Sequence, residues 1–214
     1  MTWELMWQSK GKPNMEHVYL MGSWNSVGSL EPGVWLTISG DGTINLMAVL
    51  DGDLKEWSPQ CGKNLLDGAW HHIVTTFSRS ERFMRLYVDG CLEAELQRSY
   101  DKGLQTWNSG FNPTAMGHRL LLGPGHREAK GKAFEHDSRF GRLALWDRAL
   151  SQEEILHRNA ECRRDGLVAV YRFDGDYKDS RQNMPAFQDW KGGFEDEDAP
   201  AMCDAMGKGA LPAE

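Results

Sequence analysis

From Trp70 to Glu95 apolar and polar residues alternate at the period of a strand. Ile73, Thr75 and Phe77 alternate with Val74, Thr76 and Ser78 in a β-branched and aromatic run. Ser78 to Arg82 is polar and charged, which suits a tight loop. Beyond it, Phe83, Arg85, Tyr87 and Asp89 fall on one face and Met84, Leu86 and Val88 on the other. Asp89-Gly90 then signals a two-residue hairpin turn, whose type I′ form needs positive φ at both central positions. Cys91, Glu93 and Glu95 alternate with Leu92, Ala94 and Leu96, so a third strand returns. The pattern predicts an antiparallel meander with one apolar and one polar face.

The same reading extends along the chain. Thr2 to Trp7 alternates as a strand, with Trp3, Leu5 and Trp7 on one face, and Lys10 to Asn14 is a turn cluster. His17 to Gly22 is a strand, and Trp24 to Gly33 a Gly/Ser-rich loop. Val34 to Ile38 and Thr43 to Val49 pair through a turn at Ser39-Gly40-Asp41-Gly42. Asp51 to Asn64 is polar and reads as a loop carrying Trp57, Pro59 and Cys61. Ser99 to His118 has poor periodicity, Arg119 to Gly123 is a short apolar strand, and Pro124 to Ser138 is a loop of mixed charge. A strand over Phe140 to Trp146 leads to a short helix near residues 151–160. Ser151 and Glu154 have capping-box spacing there, and Leu150, Ile155 and Leu156 form its buried edge. Gly166 to Phe173 alternates again, with Leu167, Ala169, Tyr171 and Phe173 on one face. The tail from Pro185 to Glu214 has few apolar anchors and reads as irregular.

Three of these stretches together resemble a laminin-G-like domain, the concanavalin A-like lectin-glucanase jelly roll. Trp70-His71-His72-Ile73-Val74 followed by Leu86-Tyr87-Val88-Asp89-Gly90 is similar to its centre. Phe140 to Ile155 is similar to its closing strand and helix, and Met1 to Trp7 to the strand that opens its middle section. The resemblance covers roughly residues 1–160 and implies an all-β fold, an antiparallel β-sandwich. Gly166 to Ser180 resembles the family's first strand and first turn, yet comes last. Residues 1–165 are then expected to form the sandwich, 166–184 a strand and turn completing it in the same chain, and 185–214 an irregular tail. The other reading is a tandem protein cut within a repeat. A sandwich lacking one strand exposes an edge, which favours completion within the chain.

Length and composition fit this picture. The 214 residues suit one sandwich domain, and 40% hydrophobic residues suffice for a core. A net charge of −7 argues against general nucleic-acid binding, which needs clustered Lys and Arg. No run of about 18 apolar residues exists, so no membrane-spanning helix and no membrane insertion are expected. The first residues lack the pattern of a signal peptide, which in a longer protein would lie upstream; the family resemblance points outside the cell, and the compartment stays open. Cys61, Cys91, Cys162 and Cys203 lack C-x-x-C spacing, so thiols and two disulfides both remain open.

Candidate chemistry is sparse. A retaining glycosidase needs two carboxylates about 5–5.5 Å apart. Glu93 and Glu95 share a strand face, but an exposed hairpin face accounts for them, and the acidic run Glu195 to Asp198 lies in the Gly/Pro-rich tail. His71 and His72 are adjacent on a strand, face opposite ways and cannot serve one site. His118, His126 and His136 are spread through a loop without ligand spacing. Asp41, Asp51, Asp53 and Asp89 suit turns. The resemblance implies one structural calcium ion near Asp174, Asp176 and Asp179, which follow the last strand in one turn. Trp24, Trp57 and Trp107 lie in stretches read as loops, and Asn108 adjoins the last. Exposed indoles stack on sugar rings while amides bond hydroxyls, so these four are the candidate ligand-binding residues. The expected function is non-catalytic recognition of a glycan or glycosylated partner. The alternatives are a structural or protein–protein module of a larger assembly and, disfavoured, a carbohydrate-active enzyme.

Overall fold

The computed structural model describes residues 1–10, 17–24, 33–50, 53–57, 63–78, 80–81, 83–97, 119–122, 137–157 and 165–173. They form strands β1 (Thr2–Lys10), β2 (His17–Trp24), β3 (Gly33–Ser39), β4 (Ile44–Leu50), β5 (Asp53–Trp57), β6 (Asp67–Ser78), β7 (Phe83–Val88), β8 (Cys91–Gln97), β9 (Arg119–Leu122), β10 (Asp137–Trp146) and β11 (Leu167–Tyr171). Helix α1 (Gln152–Leu156) lies between the last two strands. One sheet has six strands in the order β11-β10-β1-β6-β7-β8, and the other five in the order β5-β4-β3-β2-β9. Two compact units follow this division. The first holds Met1–Gln8, Trp70–Glu95 and Ser138–Glu214, and the second Ser9–Ala69 and Leu96–Asp137.

The meander organises the six-stranded sheet. Strands β6 and β7 pair antiparallel from Ile73 opposite Val88 to Ser78 opposite Phe83. The turn into β8 has φ 51° at Asp89 and 81° at Gly90, as a type I′ turn requires. Two reciprocal backbone bonds of 2.8 Å set Met1 opposite Phe77 and so fix the meeting of β1 with β6. Strand β11 pairs antiparallel with β10, Leu143 opposite Tyr171, with a register shift at Leu145/Trp146.

The meander departs from expectation on its second face. Phe83 and Tyr87, on the side read as polar, are buried, as are His72, Val74 and Thr76. Met6, Val74, Tyr87, Ala144, Trp146 and Ile155 belong to one apolar cluster on that side. The central strands are thus buried on both faces, because α1 and the segments around it supply a second apolar layer that alternation within the meander does not encode. Each fully buried aliphatic or aromatic side chain contributes about 1.5–3 kcal/mol.

Helix α1 starts as its sequence predicts. The Ser151 hydroxyl accepts from the Glu154 N–H at 3.2 Å, and the Glu154 carboxylate accepts from the Ser151 N–H at 2.8 Å. Ile155 is buried at 2% exposure, whereas Leu156, expected on the same edge, is 53% exposed. The helix is one short turn capped by His157, too brief to lay both residues on the sheet.

The five-stranded sheet is built on rows of opposed apolar residues. Met21, Leu36 and Leu46 form one row, and Ile38 and Ile44 another, all buried. The β3–β4 hairpin turns at Gly42, whose φ of 88° a side chain rarely tolerates. The turn closes through Gly42 N–H to Ser39 O at 2.9 Å, and Gly42 O accepts from the Leu65 N–H at 3.1 Å. Strand β5 is a correction to the sequence reading, which took residues 51–64 for a loop. Its backbone pairs with β4 from Leu50 opposite Asp53 to Leu46 opposite Trp57.

Candidate functional site

Two of the tryptophans proposed to bind ligand, Trp24 and Trp57, occupy different ground from that expected. Trp24 closes β2 and stands opposite Arg119, and Trp57 closes β5 opposite Leu46. Both are strand ends, not loop residues. The row of Trp57 runs through Leu46 and Leu36 to Met21, three residues before Trp24. Three strand spacings and three residues along a strand separate them, about 14 Å across and about 10 Å along. The fold does not bring the two backbone positions to one spot. Trp107 and Asn108 lie outside the described residues, as do Asp174, Asp176 and Asp179 and the loop histidines His118, His126 and His136. Among the described residues no group of three or more His, Cys, Asp or Glu could hold a metal ion.

The ionisable residues best placed in the fold are in the first unit. Glu4, on β1, is buried at 3% exposure on the face opposite Trp3, Leu5 and Trp7. Its Oε1 lies 2.9 Å from His72 Nε2, and its Oε2 accepts from the Trp146 indole N–H at 3.2 Å. One carboxylate therefore ties the neighbouring strands β10, β1 and β6. Burial works to raise its pKa. The hydrogen bond and charge of His72, the charge of Arg142 and the Trp146 bond outweigh it and hold the carboxyl below its ordinary value. His72 Nδ1 is buried and has no hydrogen-bond partner among the described residues.

His71, on the other face, pairs through Nδ1 with Asp89 Oδ2 at 3.0 Å, while Asp89 Oδ1 accepts from the His72 N–H at 2.9 Å. The adjacent histidines do serve separate partners. Asp89 makes the turn and fixes His71 as well. At the surface Arg85 pairs with Glu95 at 2.6 Å and lies 3.8 Å over the Phe83 ring. Arg148 grips Glu154 with two bonds of 2.8 and 3.0 Å, and its hydrogen bond is the largest of the effects that lower the Glu154 carboxyl to about 2. The sequence reading missed the Glu4 partners because they are 68 and 142 residues away. The signal available was one charged residue inside an otherwise apolar strand.

Two antiparallel sheets whose strands alternate apolar and polar positions, with one short capped helix before the last strand, define an all-β protein of laminin-G-like jelly-roll class. The family model described as the concanavalin A-like lectin/glucanases superfamily matches residues 6–156, and the chain belongs to that family. No curated protein matches it by sequence. Among solved structures, a putative carbohydrate-binding protein from Bacteroides ovatus aligns with TM-score 0.57 and 14% identity, covering 85% of this chain and 50% of that one. The chain thus spans about half the length of that protein. The CBM40 of the Ruminococcus gnavus IT-sialidase, bound to α2,3-sialyllactose, aligns with TM-score 0.53 and 16% identity over 72% of this chain and 79% of that one. Botulinum neurotoxin type C, whose cell entry depends on interaction with two ganglioside molecules, aligns with TM-score 0.51 and 9% identity over 76% and 35%. At these identities the likeness is one of fold.

Proposed function

We propose that the chain is a non-catalytic binding module for a glycan or a glycosylated partner. The observation that carries this reading is the company the fold keeps: a putative carbohydrate-binding protein, a module bound to a sialylated sugar, and a toxin dependent on gangliosides. The acids of the first unit fit the non-catalytic half of the reading. Glu4, Glu95 and Glu154 are each engaged by a basic or indole partner, an arrangement that stabilises strands and a helix cap rather than poising an acid–base pair. Contact with the glycan is assigned to Trp24, Trp57, Trp107 and Asn108. Trp57 stands in the row of Leu46, Leu36 and Met21 and Trp24 three residues beyond that row, so the two positions fall on opposite faces of the sheet and would serve separate subsites.

A glycan array probed with the purified chain tests this, followed by Trp24→Ala, Trp57→Ala, Trp107→Ala and Asn108→Ala. Binding that weakens in at least one variant whose melting temperature is unchanged supports the reading. An empty array, or glycan binding indifferent to all four changes, overturns the assignment and leaves a protein-interaction module as the better account. A structural calcium ion at Asp174, Asp176 and Asp179 goes with the same proposal. Calcium is expected to raise the melting temperature, and Asp174→Asn with Asp179→Asn to abolish the rise. An identical melt in calcium and in chelator rejects the ion.

A further inference from the structure

Resting on that reading, we infer that the six-stranded sheet carries a site of its own for the acidic group of a glycan, on the row Trp70, Gln8, Arg142 and Arg172. The row crosses the neighbouring strands β6, β1, β10 and the end of β11. Met1 opposite Phe77 sets β1 against β6, and a Cβ at Gly68 would lie 3.6 Å from the Lys10 stem, so the register holds to the strand end and Trp70 stands beside Gln8. The Thr2 hydroxyl donates to the Arg148 carbonyl at 2.9 Å and the Trp146 indole to Glu4 at 3.2 Å. Strands β1 and β10 therefore run antiparallel, and Gln8 meets Arg142 four residues on. Leu143 opposite Tyr171 brings Arg142 beside Arg172 one step further. Opposed residues of such pairs share a face. One row in, that face is closed: His72, Met6, Ala144 and Val170 are buried, the last three in one cluster with Ile155 of α1. At the row itself the face opens. Trp70 and Gln8 are half-buried and Arg172 is exposed, and Phe140 in the next row is half-buried as well.

These residue types divide the work of recognising a charged sugar. Trp70 packs against the core cluster, which holds an indole at the open end as a flat apolar surface for a sugar ring. The Gln8 amide beside it suits hydroxyls. Arg172 offers two parallel N–H donors to a carboxylate or sulfate, bonds about twice as strong as neutral ones. Arg142 is buried at 6% exposure and its charge already acts on Glu4, so it is a fixed positive charge behind Arg172 rather than a contact. The net charge of −7 gives an anion no long-range attraction, and two neighbouring guanidinium groups supply a local one. The row spans three strand spacings, about 14 Å, so a ligand that meets both ends is an oligosaccharide with its acid at one end.

The test is an array of matched sets, with lactose, 3′-sialyllactose and 3′-sulfolactose as one set and neutral and uronate-terminated oligosaccharides as another. Affinities of the hits are then measured by calorimetry at fixed ionic strength. Acidic members are expected to bind about tenfold or more tightly than their neutral partners, with the carboxylate and sulfate arms showing which anion is taken. Arg172 is exposed, so Arg172→Gln should melt like the wild type while bringing the acidic ligand down to the neutral level, and Arg172→Lys should restore part of the difference. Trp70→Leu and Trp70→Phe, which keep an apolar side chain against the cluster, should weaken acidic and neutral ligands together. The preference for acid should persist in Trp24→Ala and Trp57→Ala, which lie elsewhere. Equal binding of neutral and acidic members, a preference unchanged in Arg172→Gln, or a preference lost in Trp24→Ala or Trp57→Ala overturns the inference and leaves glycan binding standing. An array without any hit overturns both.

Discussion

The six-stranded sheet buries charge, and the described part of the five-stranded sheet buries mostly apolar rows. In the first, Glu4 and His72 are nearly inaccessible on the central strands and hold each other across β1 and β6, while His71 and Asp89 secure the neighbouring turn. In the second, Met21, Leu36, Leu46, Ile38 and Ile44 fill the described core, and Thr37 and Asn45 are the buried polar residues. Local side-chain bonds join its hairpin, Asn45 to Ser39 at 2.6 Å and the Thr43 N–H to Asp41 at 2.9 Å. An ionisable residue at the middle of the first sheet is therefore a structural tie, and changing it should move stability. Trp24, Trp57, Trp107 and Asn108, the residues assigned to glycan contact, all belong by sequence to the second unit, where changing them should move binding.

The largest effect is expected at the centre of the meander. Leu86 is fully buried on β7, opposite Thr75. Leu86→Asp would place an unpaired carboxylate there at a cost above about 4–5 kcal/mol, enough to unfold a typical domain. Circular dichroism should show loss of the cooperative melt. A folded variant with unchanged thermal stability would remove the central strand from the core.

Next comes the tie itself. Glu4→Ala leaves His72 and the Trp146 indole without their acceptor and should cost about 3–5 kcal/mol. Glu4→Gln keeps an acceptor for Trp146 and should cost less. The folded Glu4 carboxyl sits below its ordinary value of 4.5, so its stabilisation is complete above that value and is lost as pH falls through the lower folded one. Urea titrations of wild type and Glu4→Gln should therefore converge only in acid. Curves that differ by a constant amount from pH 7 down to pH 3 would show that charge plays no part in the tie.

How far these features were legible follows from the distance over which they act. The β3–β4 hairpin, the Asp89-Gly90 turn and the Ser151 cap depend on residues within a few positions of one another, and the local sequence determines them. The double burial of the meander depends on Trp146, Ile155 and Leu167, far along the chain, so Tyr87 and Phe83 looked like one side of a half-exposed sheet. Strand β5, Asp-Leu-Lys-Glu-Trp, carries little apolar alternation. It is a strand through backbone pairing with β4, and that moved Trp57 out of its expected loop. Trp24 was missed for a related reason, since a Gly/Ser-rich stretch begins just after the strand has ended.

A change in the second unit sharpens the comparison by using shape instead of charge. A Cβ at Gly42 would overlap the side-chain amide of Asn64 and come within 3.2 Å of its Cα, on a backbone of φ +88°. Gly42→Ala should cost about 2 kcal/mol, part from the left-handed backbone and part from displacing Asn64. Unlike the effect of Glu4→Gln, this loss should be the same at pH 7 and pH 4. A pH-dependent loss would mean that ionisable groups support the hairpin too.

The smallest effect tests whether charge at the edge of the first unit matters as it does at the centre. The grip of Arg148 on Glu154, with help from the Ser151 backbone, takes the Glu154 carboxyl from 4.5 to about 2. A folded value below the unfolded one means stabilisation that is full above about 4.5 and disappears as pH falls toward 2. Solvent reaches this pair, with 31% of the Arg148 side chain exposed, so the shift overstates what the pair contributes. Glu154→Gln should lower stability by about 1 kcal/mol at neutral pH, and Arg148→Lys by less, since one ammonium keeps the charge but loses the fork. Both losses should shrink when salt is raised to 1 M, because an accessible pair is screened. The Glu4 deficit should hardly change in the same salt. If salt weakened both deficits alike, the buried tie and the exposed clamp would be the same kind of interaction, and the contrast between centre and edge would fail.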